Sequence, residues 1–269
     1  MARSNIIIFG ESGAGKSSVI NMLSANENSA DISAGARGCT FEARSYDVDV
    51  LGQPATLWDT AGLDEGDAGR VPKAEAIVQL YTLLRKLSDG VSLLMFVMRA
   101  PRVKASAPQN WKLFREVICQ KKVPIAIVIT GLEQEDNMDA WWWNNKATFQ
   151  NYDIYPGGFA CITATRGKAR RGGGHIFDDE YDDSRGRVRQ LIRATSLATP
   201  WRVPAAEWFK TIVHTTYSTK SLDPCGIFTK TIEHKEYQEV AGDALHKLIH
   251  TCGMPEEVAK DLAQKLKGK

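Results

Sequence analysis

The chain has 269 residues, of which 43% are hydrophobic and 25% are charged, and its formal net charge is +2. These values are ordinary for a globular protein that can bury a core without disulfides or metals, and near-neutral charge argues against nucleic acid as a partner. No apolar run reaches the roughly 18–20 residues that would span a bilayer, so no transmembrane segment is expected. The five cysteines are odd in number, scattered and without zinc-ligand spacing, which predicts reduced thiols in a cytoplasmic protein.

Strand-like and helical apolar patterns alternate from the N-terminus to Thr165. Strands are predicted over residues 6–9, 46–51, 55–58, 91–98, 123–129 and 158–163. Helices are predicted after the first strand (through Val19, Ile20 and Leu23) and over residues 72–87, 111–118 and 140–152. Gly52-Gln53-Pro54 indicates a hairpin turn between the second and third strands. The alternation predicts a three-layer α/β domain with a mostly parallel central sheet and one antiparallel edge hairpin.

The character of the chain changes after Thr165. A basic, glycine-rich run (166–174) and an acidic run (178–183) predict an exposed insertion at about 166–184, followed by a helix over 185–193. Two short amphipathic helices are predicted near the C-terminus, where they either pack on the first domain or serve a partner. The predicted division is therefore a domain over 1–195 and a helical extension over 196–269.

The sequence from Gly10 to Ser17, Gly-Glu-Ser-Gly-Ala-Gly-Lys-Ser, fits the phosphate-binding pattern G-x-x-x-x-G-K-[ST]. Its glycines allow successive backbone N–H groups to point at phosphate oxygens, and the N-terminus of the following helix favours anions. Lys16 would reach the β- and γ-phosphates, and the Ser17 hydroxyl would coordinate Mg²⁺. The predicted nucleotide contacts are Glu11, Ser12, Gly13, Ala14, Gly15, Lys16, Ser17 and Ser18.

A second motif, Asp59-Thr60-Ala61-Gly62, ends the third predicted strand. An aspartate at this place can hold Mg²⁺ through water, and the Gly62 N–H can approach a γ-phosphate. Thr40, in a polar stretch before the second strand, can supply the remaining metal ligand. The predicted metal set is Ser17, Thr40 and Asp59, and the groups expected to act on the transferred phosphate are Lys16, Thr40 and Gly62.

These motifs resemble the first three signature motifs of the Ras-like regulatory GTPase superfamily, over about residues 4–195. The phosphate loop is most similar to those of septins and of the GIMAP group of immunity-associated GTPases, with the chloroplast-import Toc GTPases. The resemblance implies a G domain that binds GTP or GDP with Mg²⁺ and changes its switch loops, at about 31–42 and 60–72, between the two states.

Base recognition departs from the superfamily pattern. There the fourth motif places a lysine over the guanine plane and an acid that accepts hydrogen bonds from N1 and N2. Here the fifth strand runs into Thr130-Gly131-Leu132-Glu133, so the resemblance assigns Thr130 and Glu133 to the base while no lysine is present. Thr163-Ala164-Thr165 resembles the fifth motif, which assigns Thr163 and Ala164 to the base edge; an ordinary turn at a strand end is the alternative.

The predicted catalytic residues also differ from the Ras pattern. Leu63 follows Gly62, where Ras-type enzymes have a glutamine that orients the attacking water. Hydrolysis would need Asp64 or Glu65, a backbone carbonyl, or an arginine from a partner. Candidate arginines are Arg37, Arg70, Arg99 and Arg102. We therefore expect slow GTP hydrolysis whose rate rises when a homodimer forms across the nucleotide face. We also expect a protein partner, whose identity the sequence does not indicate.

Two other functions remain open at this point. One is an assembly scaffold that binds GTP but scarcely hydrolyses it, which Leu63 favours. The other is a P-loop ATPase or small-molecule kinase, which the combination of Thr40 with the Asp59–Gly62 motif disfavours.

Three consecutive tryptophans, Trp141 to Trp143, fall within a predicted helix. Because successive helical residues turn by about 100°, the three side chains cannot share one face. At least one tryptophan is therefore expected to be exposed or to lie at an interface.

Overall fold

The computed structural model describes residues 3–24, 44–60, 83–84, 86–101, 103, 107–119, 121–202, 256–257 and 259. Its centre is a six-stranded sheet in the order β2-β3-β1-β4-β5-β6. The strands are β1 (Ser4–Phe9), β2 (Arg44–Val50), β3 (Gln53–Asp59), β4 (Leu93–Arg99), β5 (Ile125–Thr130) and β6 (Gly158–Cys161). Every neighbouring pair is parallel except β2 and β3. The predicted sheet, mostly parallel with one antiparallel edge hairpin, is confirmed.

Helices follow the strands as the spacing of apolar residues predicts. They are α1 (Lys16–Leu23), α2 (Ala107–Lys112, continued by a π-helical stretch over Leu113–Ile118), α3 (Met138–Asn151) and α4 (Asp178–Thr195). Of the helix predicted over 72–87, Leu83, Leu84 and Lys86 are helical, Leu87 lies just after the helical residues, and the remaining positions lie outside the described residues. α3 starts earlier than predicted because the Asn137 side chain caps it by accepting from the Asp139 N–H at 3.1 Å.

The core lies on both faces of the sheet. Along β1 the side chains alternate, so Ile7 and Phe9 join a cluster with α2 and α3, whereas Ile6 and Ile8 join a cluster with α1 and α4. All four of these side chains are fully buried. The arrangement is the expected three layers, with helices on both faces.

The tryptophan triplet behaves as the helical geometry requires. Trp141 and Trp142 are buried in the core on the α3 side, whereas Trp143 is 59% exposed. The prediction of at least one exposed tryptophan is confirmed.

The hairpin turn lies one residue earlier than predicted. Leu51 and Gly52 form the two-residue turn with φ of 53° and 82°, and Gln53 and Pro54 already belong to β3. Positive φ at both turn positions matches the twist of the flanking strands, and the Gly52 N–H donates to Asp49 Oδ1 at 2.8 Å.

The predicted exposed insertion at 166–184 is wrong for its acidic part. Asp178 begins α4, and the acidic run forms the first turns of that helix, where Tyr181 and Ser184 are buried. Carboxylates in a first helical turn are stabilised by the positive end of the helix dipole, so an acidic run fits a helix start as well as a loop. Asp178 also pairs with Arg166 at 2.7 Å.

Beyond α4 the chain returns to the sheet. Trp201 bridges to Val91 beside the start of β4, and Ala259, in a helical stretch, is fully buried against the cluster that contains α2 and α3. The helix predicted around Leu245 lies outside the described residues, and the domain division at 195 stays a prediction. Across the described ranges, no helix is both long and apolar enough to cross a membrane.

Candidate functional site

The loop between β1 and α1 has the conformation that its glycines permit. Gly10, Gly13 and Gly15 have φ of 148°, 75° and 94°, which residues with a Cβ rarely adopt. A Cβ on Gly10 would lie 2.1 Å from the Val97 carbonyl oxygen, so the loop passes directly against β4. The glycines of the motif therefore form the tight curve that was expected.

Lys16 is the first residue of α1 and is only 8% exposed. Its Nζ donates to the carbonyl oxygens of Gly10 at 3.0 Å and Glu11 at 2.9 Å. The ammonium is thus held against the loop, at a helix N-terminus whose first turn contains no acidic residue. Charge and helix dipole together favour a bound anion at this place.

Asp59 ends β3 beside Ile8 of β1, which brings its carboxylate to the phosphate loop. Burial raises the pKa of Asp59, although Lys16, a hydrogen bond with the Ser17 side chain and Arg44 act in the opposite direction. Its Oδ1 is buried and has no hydrogen-bond partner among the described residues. A buried carboxylate oxygen without a partner costs free energy, and a cation would offset that cost.

The donor set fits Mg²⁺. Ser17 and Asp59 offer hard oxygen ligands side by side, and Mg²⁺ is usually held by one or two protein groups together with phosphates and water. In the parts of the chain that the structure describes, no group of three or more His, Cys, Asp and Glu residues could hold a metal on its own. Thr40, Gly62 and Leu63 lie outside the described residues, so their predicted roles stay predictions.

Thr130 connects the predicted base motif to the phosphate loop. Its side chain is buried, and its hydroxyl donates to the Ala14 carbonyl oxygen at 2.7 Å. The Met98 carbonyl oxygen lies 3.3 Å from the same Oγ1, and a Cβ on Gly15 would lie 3.2 Å from Thr130 Cγ2. The end of β5 is therefore fixed to the loop through a direct bond and close packing.

Glu133 is partly exposed, whereas Leu132 is buried in the core. An arginine that sequence reasoning did not place here, Arg99 at the end of β4, approaches it: Arg99 Nη2 is 3.6 Å from Glu133 Oε1. The strand register explains the approach, because Arg99 pairs with Thr130 across β4 and β5. Only that register could have revealed the contact from the sequence.

The Thr163 side chain faces the protein interior. Thr163 is fully buried; its N–H donates to Ser184 Oγ at 3.0 Å and its hydroxyl to Met138 Sδ at 3.4 Å. Ala164 follows it and is partly buried. A contribution of this pair to a base site would therefore come from backbone groups or from Ala164.

Comparison with known proteins points in one direction. Residues 5–131, from β1 to the loop after β5, match the family model described as 50S ribosome-binding GTPase. The match covers just under half of the chain. These findings and the fold support a P-loop GTPase. No curated protein sequence matches the chain significantly.

Solved structures show the same fold. The structure of a dimerization-deficient mutant of Toc33 from Arabidopsis thaliana matches with a TM-score of 0.53 at 15% identity, covering 76% of this chain and 88% of that one. A structure of chloroplast translocon components atToc33 and psToc159 matches with a TM-score of 0.52 at 16% identity, covering 72% and 84%. At such identities the likeness shows the G-domain fold alone, and the finer placement in a GIMAP or septin-like group is not confirmed.

Proposed function

We propose that this chain binds GTP with Mg²⁺ and slowly hydrolyses it to GDP and phosphate. One arrangement carries the proposal: Lys16 and an Asp59 oxygen that has no hydrogen-bond partner among the described residues meet at a glycine loop. Thr130 ties this loop to the strand leading to Glu133. These contacts would connect the phosphate site to the base acceptor Glu133. The match to a GTPase family model over residues 5–131 supports it.

At the phosphate end, Lys16 and the loop N–H groups would stabilise the charge that develops on the transferred phosphate. Ser17 and Asp59 would hold Mg²⁺, which neutralises phosphate oxygens when bound. We infer that Thr40 and the Gly62 N–H complete this site. Leu63 cannot orient water by a hydrogen bond, and intrinsic hydrolysis is therefore slow.

At the base end, Glu133 would accept hydrogen bonds from the N1–H and N2–H groups of guanine. Adenine presents an unprotonated N1 at this edge, so a carboxylate at this place favours guanine over adenine. Thr163 and Ala164 would border the base through their backbone.

We further propose that self-association raises the rate of hydrolysis. One of the matched structures is described by the statement that dimerization is important for the GTPase activity of atToc33 and psToc159. A homodimer across the nucleotide face would supply groups that Leu63 does not, such as Arg37, Arg70 or Arg102 from the second copy.

The test is phosphate release from GTP and Mg²⁺, measured per molecule over a wide range of protein concentration. We expect turnover below about 0.01 s⁻¹ in dilute protein, rising about tenfold or more as the protein associates. Lys16→Ala should abolish release, whereas Lys146→Ala on α3, away from the loop, should not. Fast turnover that is independent of concentration would contradict the proposal, and GTP binding without any release would instead support the scaffold function.

A further inference from the structure

The space beside Gly131 is occupied by another residue's side chain. Gly131 has φ of 81°, and a Cβ built on it would lie 3.0 Å from Arg99 Cγ, 3.3 Å from Nε and 3.5 Å from Cζ. The stem and the guanidinium of Arg99 therefore run along the place that a side chain at position 131 would take. A side chain at position 131 would require the Arg99 side chain to shift.

Two further observations place Arg99 beside Glu133. Its backbone pairs with Thr130 across β4 and β5, and its guanidinium lies 3.6 Å from the Glu133 carboxylate. The Arg99 side chain is nevertheless 57% exposed, against 20% for Glu133. The Arg99 side chain thus keeps accessible surface beside the carboxylate that would accept from a base.

We propose that Arg99 is the residue that stacks on the purine ring at this site, a role that rests on the proposed function. A guanidinium is planar and weakly hydrated, and it packs well on the face of an aromatic ring. Glu133 would then bind the edge of the base while Arg99 covers its face. Arg99 would thus contact the nucleotide bound to the same chain. It comes from β4, whereas Glu133 comes from the motif that follows β5.

Calorimetric titration with GDP and with IDP, which lacks the 2-amino group, separates the two contacts. We expect Arg99→Ala to lower the affinities for GDP and for IDP by the same factor, about three- to thirtyfold, because stacking does not depend on the 2-amino group. Arg99→Lys should lie between wild type and Arg99→Ala, because it keeps the charge without the planar group. Glu133→Ala should instead remove the preference for GDP over IDP.

Arg3→Ala is the matched control, because Arg3 is a half-exposed arginine just before β1 that pairs with Asp47 at 3.1 Å. It should leave both affinities unchanged. A GDP affinity of Arg99→Ala within twofold of wild type would overturn the inference. So would a ratio of GDP affinity to IDP affinity that falls to one in this variant, because Arg99 would then only position Glu133. Failure of wild type to bind GDP would overturn the proposed function itself. Arg99→Lys preserves the test if Arg99→Ala does not fold.

Discussion

Among the described candidate site residues, Asp59 has unfavourable surroundings in the absence of a ligand. Its Oδ1 is buried without a hydrogen-bond partner among the described residues, and burial raises its pKa. Lys16, Ser17 and Arg44 only partly oppose that effect. The residue therefore contributes more to ligand binding than to the stability of the free protein.

Replacing Asp59 by asparagine should stabilise the nucleotide-free protein. It should also remove the effect of Mg²⁺ on nucleotide binding. We expect the free energy of unfolding at neutral pH to rise by about 1 kcal/mol, because a neutral amide costs less to bury than a carboxylate. A raised pKa means that the native state binds the extra proton, so wild-type stability falls as pH rises from 3.8 to the raised value. That slope should disappear in Asp59→Asn, as urea unfolding at several pH values would measure.

Asp47 provides the control, because it is an exposed carboxylate on β2 that pairs with Arg3. Asp47→Asn should neither raise stability nor alter the effect of Mg²⁺ on nucleotide binding. If Asp59→Asn were less stable than wild type without nucleotide, the explanation from desolvation would be wrong.

At the scale of elements, the contact between β5 and the phosphate loop connects the two parts of the proposed site. Thr130→Val keeps the shape of the side chain but removes the bond to the Ala14 carbonyl. We expect a loss of about 1–2 kcal/mol of unfolding free energy, because a buried acceptor is left unpaired, and nucleotide affinity lowered severalfold. Chemical unfolding and nucleotide titration would measure the two effects.

Thr56→Val on β3 is the matched comparison. Thr56 is also buried, and its hydroxyl donates to Asp47 Oδ1 at 3.1 Å. It should lose stability without losing nucleotide affinity. An equal loss of affinity in the two variants would mean that the Thr130 bond has no special role in the site.

The elements also show why prediction from sequence succeeded in some places and failed in others. β1, the glycine loop and α1 are contiguous, and their chemistry depends on local backbone conformation, so the sequence was sufficient. The acidic run at 178–183 was ambiguous, because carboxylates suit both solvated loops and first helical turns. The approach of Arg99 to Glu133 depends on the register between β4 and β5, which no local pattern encodes.

At the scale of the molecule, the strand order explains how separate motifs meet. β1 lies between β3 and β4, so the carboxyl ends of parallel strands bring the phosphate loop, Asp59 and Thr130 to one edge of the sheet. Binding sites in open α/β sheets lie at this edge, where neighbouring connections leave in opposite directions. Apolar runs predicted the strands themselves, but their order follows from packing across the whole sheet.

The most direct measurement of the central claim, a guanine nucleotide site at this edge, is the affinity of Glu133→Gln for GTP and for XTP. The carboxylate matches two guanine donors, whereas an amide would accept from N1–H and donate to the C2 carbonyl of xanthine. We expect the affinity for GTP to fall about tenfold or more and the affinity for XTP to rise. Glu116→Gln is the control, because Glu116 is equally exposed at 20% and pairs with Lys121 at 2.9 Å, and it should change neither affinity. Unchanged GTP and XTP affinities in Glu133→Gln would contradict the account.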